Sequence, residues 1–120
     1  MCSSDLAYPG THYNDTFCGL LGKIPARQKK AVSDFLNKRS GGKIPVKAIN
    51  SWLMIEKLLF SRAGLTIFPV QDILELNSPA RLNTPGTCSS ENWSWRLGGR
   101  LPKKPAEKLL RLTRQAGRTL

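Results

Sequence analysis

The stretch GLTIFPV, residues 64–70, is a short and nearly continuous apolar run introduced by a glycine. Runs of this kind are typical of a strand in a parallel sheet that is buried on both faces. Pro69 cannot donate a ladder hydrogen bond, so it should mark the end of the strand. Gln71 and Asp72 follow at the carboxyl end, where parallel barrels carry their functional residues. The stretch therefore predicts an α/β protein built around a parallel sheet.

Helical patterns flank this strand on both sides. Residues 25–40 carry an apolar stripe that begins after Pro25 and stops at Gly41-Gly42, which predicts one helix. Residues 45–62 predict a second helix, whose apolar positions cover a wide face and should pack on more than one side. Residues 102–118 predict a last helix.

The segment between the strand and the last helix is long and irregular. A brief helical turn is predicted over residues 72–76, and residues 77–96 are rich in Ser, Pro, Asn and Gly. Loops of this length are more often functional than idle. The predicted order is loop, helix, helix, strand, loop, helix. Because a single parallel strand cannot make a sheet, the pattern predicts a domain that is incomplete and of low independent stability.

The charge balance of the chain is strongly basic. It has 19 Lys plus Arg against 8 Asp plus Glu, a net charge of +11, which raises a polyanion as a possible partner. Along the last helix, basic residues recur at spacings of three, three and four, at Lys108, Arg111, Arg114 and Arg118. We favour a solvated face on the outside of a barrel, because no zinc-finger, RRM or KH signature accompanies the stripe. The alternative is a small module that binds nucleic acid or another polyanion.

Cysteine use and the N-terminus bear on the compartment. Cys2, Cys18 and Cys88 are odd in number and show no CxxC spacing, so a reducing cytoplasm fits better than a disulfide framework or zinc site. No apolar run approaches the roughly 18 residues of a membrane span, and no signal-peptide pattern is present. We expect a cytoplasmic protein with no membrane partner. Residues 1–6 include CSSDL, which the end of a common sequencing adapter encodes in frame, so we expect genuine protein to begin near Ala7.

The polar cluster GTHYNDT, residues 10–16, holds the one histidine of the chain. Several short hydrogen-bonding side chains beside a group that titrates near neutral pH are typical of an active-site loop. An active-site loop is normally carried by structural elements that precede it in the sequence, and only nine residues precede this cluster. The cluster therefore predicts that the chain is the C-terminal part of something larger.

Four motifs stand in order along the chain: YPGTHYNDT (8–16), PVQD (69–72), ARLNTPGT (80–87) and NWSWRL (92–97). In that order and at similar spacing they resemble the 4-α-glucanotransferases (amylomaltases, or disproportionating enzymes) of glycoside hydrolase family 77. The motifs of that family read approximately Y-T-G-T-H-D-N-D-T, P-x-Q-D, A-R-x-N-x-P-G and N-W-x-W-R. The resemblance covers about residues 7–112.

The resemblance implies a fold and an activity. Residues 7–120 would be the C-terminal portion of a (β/α)₈ barrel, about its last two β/α units, with residues 10–16 after the seventh strand and 65–70 as the eighth. The implied reaction is retaining transfer of α-1,4-glucan segments between maltooligosaccharides, with a carboxylate nucleophile and a carboxylic acid/base. No metal or organic cofactor is implied. The implied partners are the glucan and the missing N-terminal part of the same barrel, and not nucleic acid.

The resemblance also implies site residues. His12 matches the histidine that bonds a sugar hydroxyl at the cleavage subsite, with a histidine satisfied by backbone as the alternative. Tyr13 stands at the catalytic position where the family carries its stabilising carboxylate, and a phenol is uncharged near neutral pH. Asn14 and Asp15 match the motif and are expected mainly to support the loop, with Asp15 also a candidate for sugar binding. Asn83 is a candidate for an acceptor sugar, with a plain turn equally favoured.

The remaining motif positions have mainly structural expectations. Trp93 and Trp95 could stack on sugars, but packing that closes the barrel is the favoured role. Arg96 is expected to pair with an acid or a backbone carbonyl. No Asp or Glu here stands in for the nucleophile and the acid/base, which in the family follow earlier strands. We therefore expect the 120-residue chain to be catalytically inactive.

Overall fold

The computed structural model describes residues 5–40 and 48–118, without the side chains of residues 37–40. In chain order its elements are β1 (Leu6–Ala7), α1 (Phe17–Lys23), α2 (Ala26–Ser40), α3 (Ser51–Leu59), β2 (Leu65–Thr66), α4 (Val70–Ile73), a 3₁₀ turn (Ser78–Ala80) and α5 (Lys103–Gln115). The mixture of helices and parallel strands confirms the predicted α/β class. The predicted stop at Gly41-Gly42 and the predicted helix start at Pro45 lie outside the described residues.

Strands β1 and β2 form a parallel pair. Leu6 lies opposite Leu65 and Ala7 opposite Thr66. The N–H of Gly64 donates to the carbonyl of Asp5 at 2.9 Å, and that of Ile67 to Ala7 at 3.1 Å, so the ladder extends beyond both strands. The prediction that the strand has no partner in this chain is therefore wrong.

The partner was missed because it is so short and because it starts at Leu6, inside the segment that sequence analysis sets aside. Strand β2 is also shorter than the predicted 65–70. Its regular pairing ends at Thr66, and Pro69 stands ahead of α4 as the N-cap.

Helix α1 is an element that the sequence prediction lacks. Thr16 caps it, since its hydroxyl accepts a hydrogen bond from the N–H of Gly19 at 3.0 Å. Gly19 sits where α1 passes close to Asp15 and Ser78, and a Cβ there would collide with both side chains. Thr16 ahead of the apolar Phe17 is the local signal for this helix, and it is a weak one in a helix of 7 residues.

The core lies between α3, α4 and α5. Its buried cluster consists of Trp52, Ile55, Leu59, Ile73 and Leu112. Ile55 is fully buried, and burial of such a side chain is worth about 1.5–3 kcal/mol. Helix α3 packs against α2, α4 and α5, which confirms the prediction that its wide apolar face is covered on more than one side. Asn50 caps α3, since its side-chain oxygen accepts from the N–H of Leu53 at 3.1 Å.

Two members of the basic stripe have structural partners. Lys108 places its Nζ 4.6 Å from the ring centroid of Trp52, at the edge of the core. Arg118 donates from Nε to the carbonyl of Leu59 at 2.5 Å and from Nη2 to the carbonyls of Ser61 at 3.0 Å and Ala63 at 2.8 Å. The last carbonyls of a helix lack intrahelical partners, and a guanidinium suits that negative end. Arg118 therefore fastens the end of α5 to the connection between α3 and β2.

Two further features concern thiols and membranes. Cys18 is half-buried and Cys88 exposed, and both are free thiols; burial raises the pKa of the Cys18 thiol. Within residues 5–40 and 48–118, no helix is both long and apolar enough to cross a bilayer.

We predict that Arg118→Ala loosens the connection that leads into β2. The substitution leaves the carbonyls of Leu59, Ser61 and Ala63 to water, at a cost of about 1–2 kcal/mol. Hydrogen exchange at the Gly64 amide, which is bonded to Asp5, should accelerate roughly tenfold. Arg114→Ala is the matched control, because Arg114 is an exposed arginine of the same helix. Equal exchange rates in the two variants would contradict the proposed fastening.

Candidate functional site

A cavity of about 190 Å³ lies at the carboxyl ends of the two strands. The loop after β1 and the segment after β2 form its walls, so the two motifs that sequence analysis singled out meet in space. Its lining residues are Pro9, Gly10, Thr11, His12, Asn14, Asp15, Thr16, Phe17, Leu20, Pro69, Gln71, Asp72 and Leu82. Of the predicted site residues, His12 and Asp15 line the cavity, whereas Tyr13 and Asn83 do not.

The loop of residues 10–16 is closed by its own side chains. The side-chain oxygen of Asn14 accepts from the N–H of Thr11 at 2.8 Å and from the Thr11 hydroxyl at 3.2 Å. The N–H of Asn14 donates back to the Thr11 carbonyl at 3.0 Å. These bonds form a tight turn of the kind that Asn favours, and they confirm the predicted supporting role of Asn14. They present His12 and Tyr13 at the tip of the loop.

Asp15 anchors the far end of this loop. Its Oδ1 accepts from the N–H of Thr16 at 2.7 Å, and its Oδ2 accepts from Nζ of Lys23 and from the hydroxyl of Ser78, both at 2.8 Å. The side chain is only 7% exposed. Burial alone would raise the pKa of Asp15, but the hydrogen bonds of Lys23, Ser78 and Thr16 together hold it below the ordinary 3.8. Both oxygens are thus engaged within the chain, which favours support of the loop; a sugar contact by Asp15 stays a prediction.

Asp72 is a site residue to which sequence analysis gave a position but no role. Its side chain is buried, and its Oδ1 accepts from the N–H of Phe17 at 2.9 Å, the first residue of α1. Its backbone carbonyl accepts from the hydroxyl of Ser51 at 2.5 Å. Burial raises the pKa of the Asp72 carboxyl in spite of the Phe17 bond, and the charge of Asp15 raises it further. Asp72, in α4, is therefore bonded both to the start of α1 and to the start of α3.

Arg81 connects the two loops of the site. Its Nη2 donates to the carbonyl of Tyr13 at 2.7 Å, and its Nε donates to the carbonyl of Asn83 at 2.8 Å. Beside it, Nε2 of the buried Gln71 donates to the carbonyl of Ala80 at 3.2 Å. The Arg81 guanidinium therefore holds the backbone of Asn83 just ahead of the turn at Pro85-Gly86, and a plain turn role for Asn83 stays a prediction. An acceptor-sugar contact by the Asn83 side chain stays a prediction.

Aromatic rings gather at the tip of the loop. The centroid of the His12 ring lies 4.1 Å from that of Tyr13 and 4.9 Å from that of Trp93. Trp93 is 52% exposed in this chain and Trp95 is half-buried, and their packing to close the barrel stays a prediction. Trp93 adopts a φ of 64°, in the left-handed region, and its ring lies beside that of His12. Arg96 donates from Nη1 to the carbonyls of both tryptophans at 2.9 Å, which confirms its predicted carbonyl-bonding role.

The acidic groups of the cavity are engaged within the chain. The carboxylates that line the cavity are Asp15, which is held ionised by an ion pair, and Asp72, which is buried beneath Phe17. Among the residues the structure describes, no group of three or more His, Cys, Asp or Glu is arranged to hold a metal ion. What remains open to a ligand is the imidazole of His12, the polar loop edge and the exposed rings.

We predict that Lys23→Met raises the pKa of Asp15, because it removes the ammonium group that stabilises the carboxylate. A carboxylate with a lowered pKa stabilises the fold above its ordinary pKa and loses that contribution as the pH falls through the folded value. The deficit of the variant should thus be present at neutral pH and disappear in acid. A carbon-detected NMR titration of the Asp15 carboxyl around pH 3.8 measures the shift.

The matched control is Lys103→Met. Lys103 pairs with Glu107 at 3.7 Å on the surface, where the two side chains are 88% and 63% exposed, and its loss should leave the pKa of Asp15 unchanged. An Asp15 pKa that is the same in wild type and Lys23→Met would contradict the anchoring role of this ion pair.

Comparison with known proteins places the chain in a family. Residues 2–101 match the glycoside hydrolase family 77 model, described as 4-α-glucanotransferase. The chain is 38% identical over 92 residues to the chloroplastic/amyloplastic 4-α-glucanotransferase of Oryza sativa subsp. japonica, covering 77% of this chain and 14% of that protein. It is 36% identical over 116 residues to the 4-α-glucanotransferase of Clostridium butyricum, covering 94% and 22%.

The fold has a counterpart among solved structures. An amylomaltase from Streptococcus agalactiae, solved in complex with acarbose, matches 96% of this chain with a TM-score of 0.79 at 24% sequence identity, and the match covers 22% of that enzyme. The chain thus spans only 14–22% of the length of these relatives. With the family model covering most of its residues, the chain belongs to glycoside hydrolase family 77, the 4-α-glucanotransferase family.

Proposed function

We propose that this chain forms about the last two β/α units of a (β/α)₈ barrel, and that its cavity binds a glucose unit of an α-1,4-glucan. The observation that carries the proposal is the parallel pair β1–β2, because the loops at both carboxyl ends line one cavity with His12 on its wall. Leu6, Leu65 and Ile67 are each about half exposed on these strands. Parallel sheets are normally covered on both faces, so these side chains suit a sheet that continues into a larger barrel.

The proposed reaction of the complete enzyme is the one that its relatives' names state, transfer of an α-1,4-glucan segment. In a retaining mechanism one carboxylate attacks the anomeric carbon and a second carboxyl group protonates the leaving oxygen, and the two lie about 5–5.5 Å apart. In this part of the barrel, His12 would donate to or accept from a hydroxyl of the bound sugar. Asp15 would keep the loop in place beneath it, and Asn83 would lie toward the acceptor side.

The 120-residue chain is proposed to bind without catalysing. Asp15 cannot serve as a proton donor, since Lys23 and Ser78 stabilise its ionised form. Asp72 is buried and engaged by Phe17, which keeps it from approaching an anomeric carbon. Tyr13 contributes a neutral phenol where the family motif has an acidic residue, so no negative charge faces an oxocarbenium-like sugar there.

The compartment proposed is a reducing one, and the cytoplasm is the simplest choice. The support is that Cys18 and Cys88 are both free thiols. Cys88 is also exposed, and in an oxidising compartment an exposed thiol could form a disulfide with another molecule. The Oryza sativa relative is named as chloroplastic/amyloplastic.

Glucan binding is tested by NMR. Maltoheptaose, or acarbose as a second probe, should shift the amide signals of Gly10, Thr11 and Gln71, which line the cavity, and leave that of the exposed Arg114 on α5 unmoved. A β-1,4-linked cellooligosaccharide of similar length serves as the control and should shift none of them. Absence of shifts with maltoheptaose, or shifts confined to α5, would refute the proposed site.

Catalytic inactivity is tested separately. Maltotriose incubated with the purified chain should yield neither glucose nor longer maltooligosaccharides, as followed by anion-exchange chromatography. A full-length family member supplies the positive control. Robust disproportionation by the chain alone would contradict the proposal that Asp15 and Asp72 cannot act as catalytic carboxyl groups.

A further inference from the structure

Arg81 bonds two backbone carbonyls that belong to different segments of the site. Its Nη2 donates to the carbonyl of Tyr13 at 2.7 Å, and its Nε donates to the carbonyl of Asn83 at 2.8 Å. The two N–H groups lie on one edge of a planar guanidinium, whose fork geometry is rigid. The loop of residues 10–16 and the segment that carries Asn83 are therefore held side by side at this point.

The backbone from which the Arg81 side chain extends is itself fixed. The N–H of Arg81 donates to the carbonyl of Ser78 at 2.9 Å, and the hydroxyl of Ser78 donates to Oδ2 of Asp15 at 2.8 Å. The preceding Ala80 is buried, and its carbonyl accepts from Nε2 of the buried Gln71 at 3.2 Å. The guanidinium thus extends from a backbone that is anchored both on α4 and on the far end of the loop.

The tip of the loop needs a contact from outside the loop. The side chain of Asn14 bonds Thr11, and the N–H of Tyr13 donates to the Thr11 hydroxyl at 3.3 Å, so these bonds join residues two or three positions apart. Such local bonds set the shape of a turn but not its place in the fold. Arg81 is 68 positions from Tyr13 in the sequence, and Tyr13 directly follows His12. The bond from Arg81 therefore fixes the tip of the loop relative to the cavity.

We propose that Arg81 is a positioning residue for the sugar site, which sets the spacing between the loop tip at residues 12–13 and the segment that carries Asn83. The inference rests on the proposed function, since the sugar is taken to bind beside His12. Arg81 is not itself assigned to the sugar, because both donors on that edge of the guanidinium are engaged by carbonyls. It acts through the backbone, so its role is independent of the side chain at position 13.

The bridge joins the two sides of the proposed reaction. His12 lies on the wall of the cavity, and Asn83 is proposed to lie toward the acceptor side. Transfer between two sugar chains requires both chains to be aligned, and small displacements of positioning groups reduce rates strongly. A rigid link between the two backbones keeps both segments in place before the sugar arrives. Such pre-organisation lowers the entropy cost of binding.

Two other roles for Arg81 lead to different expectations. A chain with a net charge of +11 could use this guanidinium to bind an anion, but its Nε and Nη2 donors are directed at neutral carbonyls of the chain. An arginine with a purely structural role would stabilise the fold and leave the glucan affinity of the folded chain unchanged. Under the positioning role, glucan affinity and the environment of His12 change in a chain that is still folded.

The test compares Arg81→Met, Arg81→Lys and Arg114→Met in the full 120-residue chain, titrated with maltoheptaose and followed by NMR. Met removes both bonds, whereas Lys keeps the charge but cannot hold two carbonyls in a fixed fork. Affinity for maltoheptaose should fall roughly three- to tenfold in Arg81→Met, about the worth of one hydrogen bond, and less in Arg81→Lys. Arg114→Met removes one positive charge from an exposed position of α5 and should bind as wild type does.

Two spectroscopic readouts separate positioning from stabilisation of the fold. Without ligand, the carbonyl carbon signals of Tyr13 and Asn83 should move upfield in Arg81→Met, since each loses a hydrogen bond, and stay unchanged in Arg114→Met. At saturating maltoheptaose, the amide of Gln71 should shift as in wild type, while the ligand-induced shift of the His12 imidazole should fall below half. Circular dichroism reports whether each variant is folded. If Arg81→Met does not fold, the same readouts on Arg81→Lys decide.

The outcomes distinguish this proposal from the proposed function. Unchanged affinity with an unchanged His12 shift in Arg81→Met would refute the positioning role and leave the cavity function standing. Reduced affinity with a full His12 shift at saturation would also overturn it, because Arg81 would then support the fold without placing the loop. If maltoheptaose leaves the Gly10 amide of wild type unshifted, the proposed function falls, and the role of Arg81 in sugar binding falls with it.

Discussion

The buried hydrogen bond from the Phe17 N–H to the carboxylate of Asp72 is the constraint on which the site depends. It joins residues 55 positions apart in the sequence, at 2.9 Å, and fixes the start of α1 against α4, the helix that follows β2. The same residue holds Ser51 through its backbone, so α3 is tied to this point as well. Since the loop carrying His12 ends where α1 begins, its position relative to the second strand follows from this bond. A side-chain oxygen is well suited to the task, because the first N–H groups of a helix have no partner within it.

Asp15 and Asp72 are neighbouring carboxylates whose pKa values are shifted in opposite directions. Asp15 has an ammonium, a hydroxyl and an N–H around it, and its pKa is lowered in spite of burial. For Asp72 burial is the dominant influence, and its pKa is raised. Charge at Asp15 therefore favours the fold while charge at Asp72 opposes it. Both carboxylates that line the cavity accept hydrogen bonds from groups of this chain and so hold the loops in place. The site therefore contains two acidic residues, but neither has an unengaged carboxylate to offer a ligand.

The sequence predicted the parts of this structure that depend on local pattern or on motif order. The helices around residues 26–40, 51–59 and 103–115 follow from apolar periodicity and caps. The meeting of residues 10–16 with 69–72 follows because the loops at the carboxyl ends of parallel strands lie at one edge. Strand β1 could not be predicted, because two residues carry no periodicity and pairing is decided by a partner 59 positions away. The left-handed φ of Trp93 could not be predicted either, because a tryptophan rarely adopts it and composition does not reveal it.

Position 13, where this chain has a tyrosine and the family motif has an aspartate, lies at the tip of a loop held by these contacts. The loop that supports Tyr13 is fully built: Asn14 closes it, Asp15 anchors it and Arg81 holds the Tyr13 carbonyl. Those contacts use backbone groups and neighbouring side chains, and none of them uses the side chain of residue 13. The hydrogen bonds that build the loop are therefore independent of which side chain stands at position 13. A change of side chain there alters what the loop offers to a sugar, from charge to an aromatic face, while the fold that presents it remains the same.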